Sequence, residues 1–147
     1  MIIYKEPFAI SDEKDRLNPA FIQEFLSRTY WAEDIPLKTV EKSIAGSLCF
    51  GVYHHDEQVG FARVITDSAT FAYLADVFIA ENYRGKGLSK WLVEIILSHP
   101  DLQGLRRFML ATRDAHGLYA QYGFLPLTNA DRWMCIQDSG IYKRNKI

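Results

Sequence analysis

The sequence predicts an α+β fold, a mixed and mostly antiparallel sheet flanked by helices, and three observations carry that prediction. Apolar residues recur at helical spacing early in the chain, at Phe21, Ile22, Phe25 and Leu26 and again at Leu37, Val40 and Ile44. From Leu48 the period changes, and three β-rich runs follow one another as far as Ala80 with no helix between them, so these strands return as hairpins. The longest helical pattern, Leu88, Trp91, Leu92, Ile95 and Ile96, comes only after those strands.

Taken in order, a short strand opens the chain at Ile2 to Tyr4. In "NPAFIQEFLSRTYW" Asn18 is a candidate N-cap and Pro19 occupies the first helical position, where a missing N–H costs nothing. "PLKTVEKSIAGS" repeats the device from Pro36 and stops near Gly46. "LCFGVYHHDEQVGFARVIT" reads as an antiparallel hairpin around a polar turn, and Thr70 to Ala80 is a third strand. The strong helix from Gly87 is closed by Pro100. A strand at Arg107 to Thr112, a short helix from about Asp114 to Tyr122 and a late strand in "RWMCIQ" complete the order β, α, α, β, β, β, α, β, α, β. The tail "IYKRNKI" is basic and reads as frayed.

With 147 residues and no repeat or linker, the chain is expected to be one domain over 1–147. It is 48% hydrophobic, too apolar for disorder, and too interrupted by charge to cross a membrane. Its net charge of −1 lacks the basic excess that nucleic acid favours, so nucleic acid is excluded as a partner. The start "MIIYKEPFAISDEKD" turns acidic too early for a secretory leader, and the expected compartment is the cytoplasm. Cys49 and Cys135 lie in apolar strand-like runs without metal-ligand spacing and read as reduced core residues. "HHD" at His54 to Asp56 reads as a solvated hairpin turn, and no metal is expected.

"ENYRGKGLSKWL", Glu81 to Leu92, lies between a strand and a helix, where the first helical N–H groups lack partners and the helix dipole is positive. Gly85 and Gly87 let the backbone turn tightly and approach an anion, while Arg84 and Lys86 add charge; a diphosphate fits such an end. A Walker A string is absent. A dinucleotide fingerprint would need Gly at position 90, where Lys90 stands.

Arg84-Gly85-Lys86-Gly87-Leu88-Ser89 resembles the pyrophosphate loop, Arg/Gln-x-x-Gly-x-Gly/Ala, of the GNAT family of acyl-CoA-dependent N-acetyltransferases. "DAHGLYAQYGF" resembles that family's later signature, through Ala115, Leu118, Tyr119, Gly123 and Phe124. Ser89 replaces the usual Gly or Ala, and Thr112 stands where many members carry Asn, so that Asn's contact is not carried over. The resemblance implies the family's fold and acetyl-CoA as co-substrate, with no metal. It implies that the main chain of Val77, Phe78 and Ile79 pairs with the pantetheine arm, that residues 84–89 hold the diphosphate, and that Tyr119 is the general acid.

Asp76 sits in an otherwise apolar strand, where a lone carboxylate is costly, so a cleft or a fixed partner is implied; it is the candidate base or amine anchor. Tyr30 and Trp31 fall in the segment between the first two helices, which the resemblance makes part of the acceptor pocket, with core packing as the alternative. Asp114 reads as a helix N-cap, and His116 receives no role. The expected function is transfer of acetyl from acetyl-CoA to a primary amine by direct attack in a ternary complex, the acceptor being an unidentified small molecule, with a protein lysine left open as a further acceptor. The alternative is a non-catalytic acyl-CoA-binding module of the same fold. An acyl-cysteine route is disfavoured because both cysteines read as buried without an adjacent base. The apolar last strand and the family's habits allow a homodimer.

Overall fold

Two β-rich runs, buried on both faces, flank the turn His55–Asp56 and form the centre of the structure, a computed structural model that describes residues 1–144. Leu48–His54 (β3) and Glu57–Thr66 (β4) pair antiparallel, and β4 continues into Phe71–Ile79 (β5) through a second reversal. Ile2–Lys5 (β1) and Phe8–Ser11 (β2) add a hairpin on one side, and Arg107–Leu110 (β6) adds a parallel strand on the other. The result is one six-stranded sheet in the order β1-β2-β3-β4-β5-β6.

The helices start and stop where their ends predict. Pro19–Leu26 (α1) is capped by Asn18, whose side chain accepts from the Phe21 N–H at 3.1 Å, and Leu37–Ala45 (α2) follows Pro36 and ends at Gly46. These two cover one face of the sheet, burying Ile22, Leu26, Val40 and Ile44 with Phe61 and Phe78. Leu88–Ser98 (α3) covers the other with Leu92, Val93 and Ile96 against Phe50, Val64 and Leu74. His116–Ala120 (α4) is short, and Ile141–Arg144 (α5) sets Tyr142 against the first cluster. Among the described residues no helix is long and apolar enough to cross a membrane.

Three expectations are corrected. Phe8–Ser11 is a strand that the sequence reading left out, because a four-residue run beside Pro7 and an acidic stretch carries little period-2 signal. "RWMCIQ" forms no strand: residues 132–137 are exposed and follow a short 3₁₀ turn at Ala130–Arg132. Cys135 is therefore exposed, while Cys49 is buried as expected. Ile141–Arg144 of the tail is helical, and the rest of the tail, 145–147, lies outside the described residues.

Candidate functional site

Asp76 interrupts β5. Between Phe61↔Phe78 and Arg63↔Ala75 the register shifts by one, so Asp76 and Val77 together oppose Ala62, and Asp76 takes the left-handed conformation at φ +57°. Asp is among the few non-glycine residues that tolerate it. The extra residue reverses the parity of the strand: Leu74 and Ile79 pack toward α3, whereas Phe78 turns to the α1 face and stacks on Phe25 at 3.9 Å. The same bulge aims the Asp76 carboxylate at Arg63, whose Nε–H donates to Oδ2 at 2.8 Å, and at Trp31, whose Nε1–H donates to Oδ1 at 2.9 Å. The expected fixed partner thus exists twice over. Arg63 also reaches Ser47 Oγ at 3.1 Å.

Past the bulge, β5 parts from β6. Their pairing runs from Phe71↔Arg107 to Leu74↔Leu110, so among the described residues the second half of β5 has no strand partner on that side. Ala80 N–H donates to Val59 C=O, which makes Ala80 and Phe78 the residues bonded to β4 and turns the main chain of Val77 and Ile79 toward the gap. Phe78 contributes its ring to the core, and its main chain points away from the gap.

The gap leads to the glycine loop. Gly85 and Gly87 both have φ +79°, Gly87 is the residue before the first turn of α3, and a Cβ on either would meet nothing within 4 Å. Their need is conformational, for the left-handed region, with open space in front of the backbone. Leu88 is buried in the core, so only its main chain faces the loop. Lys86 and Lys90 are exposed, and Arg84 Nε–H donates to Ile79 C=O at 3.0 Å, fastening the loop to the end of the open strand. Ile79, Arg84, Gly85, Gly87, Ser89 and Leu118 border a hollow of about 370 Å³ there.

On α4, Leu118 borders that hollow, while the next residue, Tyr119, lines a separate groove of about 610 Å³ with Phe108 and Leu110; it is buried edge-on to Phe124, and burial pushes its phenol above the ordinary value. Its hydroxyl bonds to no group among the described residues. Tyr122 differs: its hydroxyl donates to Glu94 at 2.9 Å, tying α4 to α3. Asp114 is not the cap expected. Ala115 holds that position, and its N–H donates to Thr112 Oγ1 at 3.0 Å, so the turn is closed from the strand side.

Tyr30 and Trp31 are both exposed and pack edge to face with ring centres 5.1 Å apart. Arg113, just after β6, lays its guanidinium 3.9 Å from the Tyr30 ring centre. Arg113, Tyr30, Trp31, Asp76 and Arg63 thus form one contiguous chain of contacts beside the bulge. Arg63 and Arg113 were missing from the sequence reading. A lone cation in the apolar run "GFARVIT", one hairpin from a lone anion, was a usable signal for Arg63; nothing local marks Arg113.

Cys49 is buried, and its thiol is pushed up to about 11 by that burial. The His54 ring packs on Phe8 and Tyr83 at the hairpin turn. No group of three or more His, Cys, Asp or Glu positioned to hold a metal occurs among the described residues.

The comparisons with known proteins agree on a family and a fold. The model of the Acetyltransferase (GNAT) family matches residues 14–124. A candidate acetyltransferase of Gibberella zeae is 33% identical over 128 residues, covering 73% of this chain and 70% of the relative. The crystal structure of a candidate GNAT acetyltransferase from Xanthomonas campestris pv. campestris superimposes with a TM-score of 0.90 at 51% identity, over 92% of this chain and 96% of that one. A GNAT acetyltransferase from Elizabethkingia anophelis, solved with acetyl-CoA bound, shares the fold at a TM-score of 0.62 and 12% identity, over 82% of this chain and 78% of that one. The chain belongs to the GNAT acetyltransferase family.

Proposed function

We propose that the protein transfers acetyl from acetyl-CoA to a primary amine of a small-molecule acceptor by direct attack in a ternary complex. The observation that carries the reading is the gap between β5 and β6, which leaves Val77 and Ile79 main-chain groups facing an opening that ends at the glycine loop. The strand groups left open there, apart from Ile79 C=O, which Arg84 holds, favour an extended amide-bearing ligand, and the pantetheine arm is one. The free N–H groups at the start of α3 and the cations Arg84, Lys86 and Lys90 suit the diphosphate.

Tyr119 is the acid in this reading. A neutral amine attacks the thioester carbonyl, the C–N bond forms as the C–S bond breaks, and the departing sulfur takes the phenol proton. Tyr119 is then reprotonated at the expense of the proton the amine nitrogen gives up to solvent. Burial keeps the phenol protonated at neutral pH. Asp76, held by Arg63 and Trp31, anchors the acceptor side rather than removing a proton, because both its oxygens already accept bonds. Two features disfavour an acyl-cysteine route: Cys49 is buried with a raised pKa, and exposed Cys135 lies outside this cluster of side chains. The test is release of CoA thiol from acetyl-CoA with a panel of amines, with acetylated product identified by mass. Tight acetyl-CoA binding without amine-dependent release would favour the non-catalytic binding module.

A further inference from the structure

Arg113 is a positioned cation without a carboxylate. It stands on the exposed turn between β6 and α4 with its guanidinium carbon 3.9 Å from the Tyr30 ring centre, and among the described residues no acidic side chain forms an ion pair with it. Contact with a ring at that distance uses the flat face of the guanidinium and leaves the N–H groups along its edge able to bind in plane. The fork is held but not used.

Its platform belongs to the candidate site. Tyr30 packs on Trp31, and the Trp31 indole N–H donates to Asp76 Oδ1 at 2.9 Å, so the contacts run from Arg113 to the bulge where β5 leaves β6. The glycine loop follows Ile79, roughly 10 Å of strand farther along. Arg113 is therefore grouped with Asp76, apart from the cations that face the diphosphate.

Charge narrows the chemistry of the guest. Asp76 is matched by Arg63 at 2.8 Å, both side chains being largely withdrawn from solvent, which leaves the exposed Arg113 as the uncompensated charge of this cluster. A polyamine meets a net positive wall there, whereas an amine with an anionic far end meets a partner. One guanidinium fork matches one carboxylate in two parallel N–H···O bonds, and a phosphate dianion would keep charge unmatched.

We propose that the acceptor is a primary amine that carries a carboxylate, bound by the edge of the Arg113 guanidinium while the amino end passes Asp76 toward the thioester. The amine half of this inference rests on the transferase reading; the carboxylate half rests on Arg113.

Two readouts on the same ligands keep the halves apart. Amino carboxylates of increasing chain length, each beside its own amide, and a polyamine are titrated into the full chain with CoA bound, following the Trp31 indole N–H by NMR. The same ligands are then assayed for release of CoA thiol from acetyl-CoA. The chain has 3 tryptophans, so Trp31→Phe identifies the signal. At least one acid is expected to bind and react roughly tenfold or more better than its amide, the effect of one charged hydrogen-bonding pair. Arg113→Gln, on an exposed turn, is expected to fold, to keep its acetyl-CoA affinity and to lose that preference. Acid-selective binding that the variant loses, without CoA release from any amine, would uphold carboxylate recognition by Arg113 and refute the transferase reading. Release that ignores the carboxylate, or is greatest with the polyamine, would overturn the inference and leave the transferase reading standing. An acid preference that survives in Arg113→Gln, or no binding of any acid to the wild type, would also overturn it.

Discussion

Tyr119 and Asp76 show how differently two polar residues are prepared for use. Tyr119 has a buried ring, a raised pKa and an uncommitted hydroxyl, so Tyr119→Phe is expected to lower turnover by roughly 10² to 10⁴ with little change in acetyl-CoA affinity or melting temperature. An unperturbed phenol near 10 against a thiol near 8.5 already leaves it protonated at neutral pH, and burial extends that range upward, so the basic limb of turnover should lie above the ordinary phenol value. Asp76 is committed to Arg63 and Trp31 and to a left-handed backbone. Asp76→Asn keeps the tolerated conformation and an acceptor for Trp31, whereas Asp76→Ala strands the largely buried Arg63 and strains the bulge. The Ala variant should therefore lose about 2–4 kcal/mol of stability and the Asn variant clearly less, read by denaturant unfolding. If Asp76 anchors the acceptor, the Asn variant raises KM for the amine more than it lowers kcat; the reverse would point to proton removal.

At the scale of elements, the glycine loop and the β4–β5 reversal each rest on a local conformation. Gly87→Val meets no atom but forces a β-branched residue to φ +79°, so the loop should shift and acetyl-CoA affinity should fall severely in a protein that still folds; unchanged affinity by calorimetry would remove the loop from the site. The β4–β5 reversal depends on Asp67, which accepts from the Thr70 hydroxyl at 2.6 Å and from the N–H groups of Thr70, Ala69 and Phe71. These bonds, the Thr70 hydroxyl foremost, hold its carboxyl below the usual range. A carboxyl lowered in the folded state contributes stability that is full above its unfolded value of about 3.9 and is lost as pH falls through the folded value. Asp67→Asn should therefore flatten the acid limb of the stability profile, which acid titration of the melting temperature measures.

Across the whole molecule, the elements with strong local signals were legible in the sequence and the ones decided by packing were not. Asn18-Pro19, Pro36 with Gly46, and the Leu88–Ile96 stripe carry their own start, stop and face, and all three helices lie where those marks put them. The strand at 132–137 failed because an apolar run states only that cover is needed, not where the cover is. The carboxylate in β5 could be flagged as costly, but its bulge, which decides that Phe78 faces α1 and that Val77 and Ile79 face the gap, depends on register with β4. That bulge is also where the central claim can be tested most directly, by amide hydrogen exchange read residue by residue on adding acetyl-CoA. The account predicts that the Val77 and Ile79 amides become protected while Phe78, already bonded to β4, changes little. Acetyl-CoA that binds and leaves Val77 and Ile79 exchanging as before would contradict it.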